Sequence, residues 1–129
     1  MNYHLNQIPH RTSKPRNTGY TMIMDKGLSI REVEDMIDIS GDFIDIVKLG
    51  WATSYVTKNL KEKLAVYKSA GLPVYLGGTL FEAFIVRNQF SDYQKVLDQF
   101  GLEYAEVSDG SIEMNHDEKC GYISTLAKQ

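Results

Sequence analysis

Asp25, Lys48 and Glu106 are the residues of this chain best placed to do chemistry together. Each stands near the C-terminal end of an apolar run, and a glycine or a polar loop follows it. Two carboxylates beside a lysine can hold a divalent cation and an anionic substrate. A salt-bridge network closing a barrel floor would use the same residue types. Three such residues at strand ends, each with a polar loop behind it, favour chemistry over that structural role. A lysine in a buried strand must be paired, functional or turned to a wet cavity. Lys48 in such a strand also suits Schiff-base chemistry.

Gly77-Gly78-Thr79 lies between an apolar run and a helix start, where free N–H groups and the helix dipole attract an anion such as phosphate. Neither Walker nor dinucleotide-binding spacing is present, and two glycines in a tight turn are often conformational. Glu82, three residues after Thr79, reads as the partner in a capping box. Ser108 opens the polar loop Ser108-Asp109-Gly110-Ser111. Ser54, Ser108 and Ser111 lack a nucleophile-elbow motif, which argues against a serine hydrolase. Arg11, Lys14 and Arg16 make residues 1–18 an extended basic arm, either lying over the domain or clamping an anionic substrate. His4, His10 and His116 have no metal-ligand spacing, and Cys120 at helical spacing with Ile123 reads as core.

The elements that must position these groups alternate. Strands are expected over residues 19–25, 43–49, 74–76 and 104–107. Between them run helices with caps at Ser29/Glu32, Asn59/Glu62, Thr79/Glu82 and Asn115/Glu118, and a further helical turn starts at Ser91. Such β-α alternation implies a parallel sheet with helices packed outside it. Two architectures fit: an open doubly wound sheet, or the N-terminal half of a TIM (βα)8 barrel. A full barrel takes about 250 residues, and this chain has 129. Strand parity favours the half-barrel, because it puts Asp25, Lys48 and Glu106 on the less apolar faces of their strands. Asp45 fits no face in this scheme.

A net charge of −3 gives no reason to expect nucleic-acid binding. No apolar run reaches the roughly 18 residues of a membrane span. The N-terminus lacks the apolar core of a signal peptide, so a cytoplasmic protein is expected. One cysteine excludes an intrachain disulfide.

The stretches R-T-S-K-P-R-N-T-G-Y-T (11–21), D-K-G-L (25–28), D-F-I-D-I-V-K-L-G-W-A-T-S (42–54), G-G-T-L-F-E (77–82) and E-V-S-D-G-S-I (106–112) resemble the phosphosulfolactate synthase family. Within them Ala52 stands where that family more often has glycine. The resemblance implies a (βα)8 barrel and a carbon–sulfur lyase of coenzyme M biosynthesis that adds sulfite to phosphoenolpyruvate. It also implies magnesium as cofactor. Lys48 and Glu106 are then expected to be catalytic, Asp25 and Glu106 to hold the metal, and Lys14, Arg16, Gly78, Thr79 and Ser108 to bind substrate. The family implies more chain than is present. Four βα units alone would leave two open sheet edges, so a homo-oligomer is expected; the alternative function is a non-catalytic half-barrel or a stress-associated relative acting through self-association.

Overall fold

A computed structural model describes residues 2–129. Strands β1 (Met22–Asp25), β2 (Ile46–Leu49), β3 (Val74–Leu76) and β4 (Tyr104–Ala105) form one parallel sheet in the order β1-β2-β3-β4. Helices α1 (Ile30–Ser40), α2 (Thr53–Val56), α3 (Leu60–Ser69), α4 (Gly78–Ile85), α5 (Phe90–Phe100) and α6 (His116–Leu126) fill the connections and the C-terminus. A doubly wound sheet reverses its strand order at a switch point and carries helices on both faces. Here the order is sequential. One face is buried through Val47, Leu49, Val74 and Leu76, while Met22, Met24 and Tyr104 are exposed on the other. This is the arrangement of half a (βα)8 barrel, with its inward face open. No described helix is long and apolar enough to cross a membrane.

Register corrects the expected parity. Met24 lies beside Lys48, and Lys48 beside Tyr75. Asp25 lies beside Leu49, which is beside Leu76. Lys48 therefore belongs to the inward row and Asp25 to the helix-covered row. Parity within one strand is firm, but the inward face of β1 is Met22 and Met24, as apolar as the outward one. Only register with a neighbour distinguishes the two.

Local signals act where their side chains are free to act. Ser29 caps α1: its Oγ accepts from the Glu32 amide at 3.3 Å, and Glu32 Oε2 accepts from the Ser29 amide at 2.7 Å. Asn115 caps α6 by accepting from the Glu118 amide at 2.8 Å. Asn59 makes no side-chain cap. Helix α4 starts two residues earlier than expected, with Gly77 at its cap, and Glu82 turns elsewhere. Cys120 is exposed rather than core. The core centres on Phe81, whose ring meets Phe90, Tyr93 and Tyr122 edge-on at 6.5, 5.4 and 5.6 Å. Edge-on pairs of this kind fix α4 against α5 and α6.

The expected loop after β2 contains helix α2, entered through Trp51 and Ala52 at φ of 48° and 60°. The left-handed region costs an L-residue about 1–2 kcal/mol, part of which glycine gives back through the entropy of the unfolded chain. Ala52→Gly is therefore expected to stabilise the chain by about 0.5–1 kcal/mol, read as a higher urea midpoint with an unchanged slope.

The basic arm docks at the N-terminal ends of the strands. Arg16 Nη1 reaches Asp45 Oδ1 at 2.5 Å, Arg11 Nη2 reaches Asp45 Oδ2 at 3.2 Å, and the Thr21 amide donates to Asp45 Oδ2 at 2.7 Å. Lys14 Nζ donates to the Gly41 carbonyl at 2.7 Å. This accounts for Asp45, the acid in β2's lead-in that fitted no face. It gathers two guanidiniums and an amide, and these outweigh its desolvation and hold its pKa below the ordinary aspartate value.

Candidate active site

The inward row ends in an ion pair at the C-terminal mouth. Lys48 Nζ lies 2.8 Å from Glu106 Oε1 and 2.6 Å from Oε2. Lys48 comes from β2 and Glu106 from the exit of β4, so β3 lies between them and Tyr75 sits under the pair. Burial, reinforced by Glu106, pushes the Tyr75 phenol up, and it stays neutral. A cavity of about 240 Å³ opens over the pair, lined further by Met24, Trp51, Gly78, Thr79, Ser108 and Glu82. A lysine engaged by both oxygens of a carboxylate suits charge stabilisation better than imine formation, which needs a free nitrogen lone pair.

Helix α4 points its N-terminus at this cavity. The Leu80 amide donates to the Gly77 carbonyl at 3.0 Å, while the Gly78 and Thr79 N–H groups ahead of it have no intrahelical partners, the usual basis for anion binding. Gly78 makes the approach possible. A Cβ there would collide with the Ser108 side chain and lie 2.9 Å from Glu106 Oε1. Gly78→Ala is expected to force the β4 exit loop outward at a cost of about 1–3 kcal/mol, visible as a lower thermal midpoint.

Glu82 is the residue that the sequence did not reveal. It is 4% exposed, and its Oε1 accepts from the Ser108 hydroxyl and, at 2.8 Å, from the Gly110 amide. Burial pushes its carboxyl up, but the Ser108 hydroxyl and the Gly110 amide, with the Ser111 hydroxyl and amide close by, outweigh burial and hold it below the ordinary glutamate value. Its Oε2 is buried without a hydrogen-bond partner. The available signal was a carboxylate within the strongly apolar run Leu80-Phe81-Glu82-Ala83-Phe84-Ile85.

Three expected site residues lie elsewhere. Asp25 is fully buried on the outer face. Its Oδ1 accepts from the Gly27 and Leu28 amides at 2.8 Å each, and its Oδ2 meets Tyr67 Oη at 2.9 Å and Lys63 Nζ at 2.5 Å. Both of its oxygens are taken up on that face, away from the cavity. Lys14 and Arg16 are bound at the opposite end of the sheet, away from this cavity. Lys48, Glu106, Gly78, Thr79 and Ser108 are brought together. Among the described residues no group of three His, Cys, Asp or Glu side chains encloses a metal position. A wider groove of about 400 Å³ along Lys61, Leu72, Phe100 and Tyr104 lies near the N-terminal ends of β3 and β4, away from these groups.

Half a (βα)8 barrel with a lysine–carboxylate cavity at the C-terminal ends of its strands has the form of a barrel enzyme's catalytic face. Residues 9–129 match the (2R)-phospho-3-sulfolactate synthase (ComA) family, and the chain belongs to that family. It is 37% identical over 123 residues to the phosphosulfolactate synthase of Bacillus subtilis (strain 168), covering 95% of this chain and 49% of that protein. It is 42% identical over 103 residues to the phosphosulfolactate synthase of Methanocaldococcus jannaschii, covering 78% of this chain and 41% of that protein. The chain thus spans about half the length of the curated relatives it matches.

Proposed function

We propose that this chain carries the sulfite-adding site of a phosphosulfolactate synthase, acting in the cytoplasm on phosphoenolpyruvate and sulfite as a carbon–sulfur lyase. The observation that carries the reading is the Lys48–Glu106 pair facing the N-terminus of α4 across one cavity. The family's product bears its sulfonate on carbon 3, so sulfur bonds to the methylene carbon of phosphoenolpyruvate. The π pair then moves toward C2 and the adjoining carboxylate. Lys48 is placed to stabilise that charge and to deliver a proton to C2, with Glu106 holding the ammonium in line. The free N–H groups at Gly78 and Thr79 bind the phosphate or the carboxylate, with Ser108 alongside.

Magnesium fits this site in part. Lys48 faces two carboxylates, Glu82 and Glu106, so the cavity by itself is too acidic for two anionic substrates. Magnesium needs few protein ligands when substrate oxygens complete its shell, and Glu106 is the residue that would hold it. Bound there, the ion would neutralise charge on the substrate carboxylate and phosphate. The test is a sulfite-dependent assay with and without magnesium, following phosphoenolpyruvate by phosphorus NMR. Formation of phosphosulfolactate supports the reading; substrate left unchanged at full sulfite saturation overturns it for this chain.

The open sheet supports a second reading, self-association without catalysis. Among the described residues, strands β1 and β4 are both unpaired on their outer sides, and the inward face exposes Met22, Met24 and Tyr104. A two-fold pair of such halves would close both edges. Sedimentation equilibrium of this chain is expected to show a dimer or larger species at micromolar concentration; a monomer there would refute it.

A further inference from the structure

Glu82 holds an ionised carboxylate inside the cavity with one oxygen satisfied and the other bare. A buried carboxylate oxygen without a donor is costly, so the occupied site should supply one. Of the two proposed substrates, phosphoenolpyruvate is an acceptor throughout. Hydrogensulfite carries a proton. We propose that Glu82 is the residue that selects the nucleophile, its Oε2 accepting a hydrogen bond from the hydroxyl of hydrogensulfite; this rests on the sulfite-adding reading above.

The chemistry explains why such an acceptor helps. Hydrogensulfite exists with its proton on sulfur or on oxygen, and only the oxygen-protonated form keeps a free sulfur lone pair. Glu82 favours that form and repels the sulfite dianion. As the lone pair forms the sulfur–carbon bond, the π pair leaves toward C2, and C2 takes a proton from Lys48. The sulfonic hydroxyl, now strongly acidic, releases its proton to Glu82. Return of that proton to Lys48 through solvent leaves a net addition of hydrogen and sulfonate across the double bond, with no other reactant.

A glutamine at this position discriminates a chemical role from a structural one. Ser108 and Gly110 both donate to Oε1 and would keep the amide carbonyl there. The amide NH2 then occupies the place of Oε2, and an acceptor becomes a donor without loss of the loop contacts. Other titratable groups facing the cavity are Lys48 from β2 and Glu106 from the exit of β4, with Tyr75 of β3 beneath that pair and Lys26 stacked 4.9 Å over Trp51 at the rim. All of them remain in the variant.

The experiment is calorimetric titration of this chain with sulfite alone at several pH values above and below the second pKa of sulfurous acid. In the parent, the apparent Kd for total sulfite should rise about tenfold per pH unit above that pKa, following the hydrogensulfite fraction. In Glu82→Gln the rise should vanish. Methanesulfinate, a sulfur monoanion with no hydroxyl, should bind the parent at least about tenfold more weakly than hydrogensulfite, which tests the idea without a variant. Equal slopes in parent and variant, no sulfite binding by the parent, or equal affinity for methanesulfinate would each overturn it. So would a Glu82 dependence that appears only with added magnesium, which would identify metal-bound water as the donor. Sulfite binding with this signature but no reaction with phosphoenolpyruvate would instead count against the proposed activity and leave the assignment of Glu82 standing.

Discussion

Lys48→Met should leave the sheet folded and reduce sulfite addition by about 10²–10³-fold. Methionine matches the volume of the lysine stem, and among the described residues lining the cavity Lys48 is the one cationic side chain. Removing one group that meets developing charge in a dry site typically costs about 2.7–4 kcal/mol of transition-state stabilisation. The loss should fall on kcat more than on KM, since the charge is greatest in the transition state. The Glu106 side chain, 30% exposed, can rehydrate when its partner is gone, so the thermal midpoint should move little. Turnover near the parent rate in a folded variant would make the lysine structural. Borohydride trapping of the parent with substrate should give no adduct on Lys48; a covalent adduct would establish imine chemistry in place of charge stabilisation.

Lys63→Met should have the largest effect on stability. Lys63 is 1% exposed and bonds both Asp25 Oδ2, at 2.5 Å, and the Leu28 carbonyl, at 2.6 Å. Breaking a buried ion pair from one side leaves an unpaired charge and costs about 3–5 kcal/mol. Chemical denaturation at neutral pH would show it. The pH dependence carries a sign that tests the cause. Burial pushes Asp25 up, but Lys63, the Leu28 and Gly27 amides and Tyr67 outweigh it, so its folded pKa lies below the ordinary value. A lowered folded pKa gives stability that is fully present above the unfolded value of about 3.9 and is lost as pH falls through the folded one. The parent should weaken in that acid window. Without Lys63, protonating Asp25 relieves the buried charge, so the difference between parent and variant should shrink on acidification. A constant difference down to strongly acid pH would rule out the ion pair as its source.

How much of this was legible depends on what each residue's role rests on. Strand β3 at Val74–Leu76 was readable because Pro73 and Gly77 bracket it. The α1 cap was readable because Ser29 and Glu32 satisfy each other locally. Lys48 and Glu106 were readable as a lysine and a carboxylate at strand ends. Asp25 was not, because its role is decided by β1–β2 register and by Lys63 on α3. Lys63 looks like one more outward lysine among Lys61, Glu62 and Lys68. Its spacing of four from Tyr67 puts both on the face that meets Asp25, but only the fold shows what that face covers. Glu82 fits a capping pattern with Thr79, yet the chain puts Gly77 at the cap and leaves Glu82 to the β4 loop. The arm's arginines were legible as cations, while Asp45, their partner across some 29 positions of sequence, was legible only as an anomaly.

The pairing of Lys48 with Glu106 has a consequence for synthesis on the ribosome. In a protein of the relatives' length, these four units leave the exit tunnel before their barrel partners exist. Until those partners arrive, the inward face is bare, and a bare sheet face invites a second nascent chain to stack on it. A charged pair set among Met22, Ile46, Tyr75 and Tyr104 penalises that stacking, because a dry contact would have to desolvate it. The side chains proposed here for chemistry in the finished barrel would then also serve as gatekeepers while it is being made. Substitutions that silence the site by making it apolar should accordingly lower the soluble yield of the growing chain, even where the completed fold is no less stable.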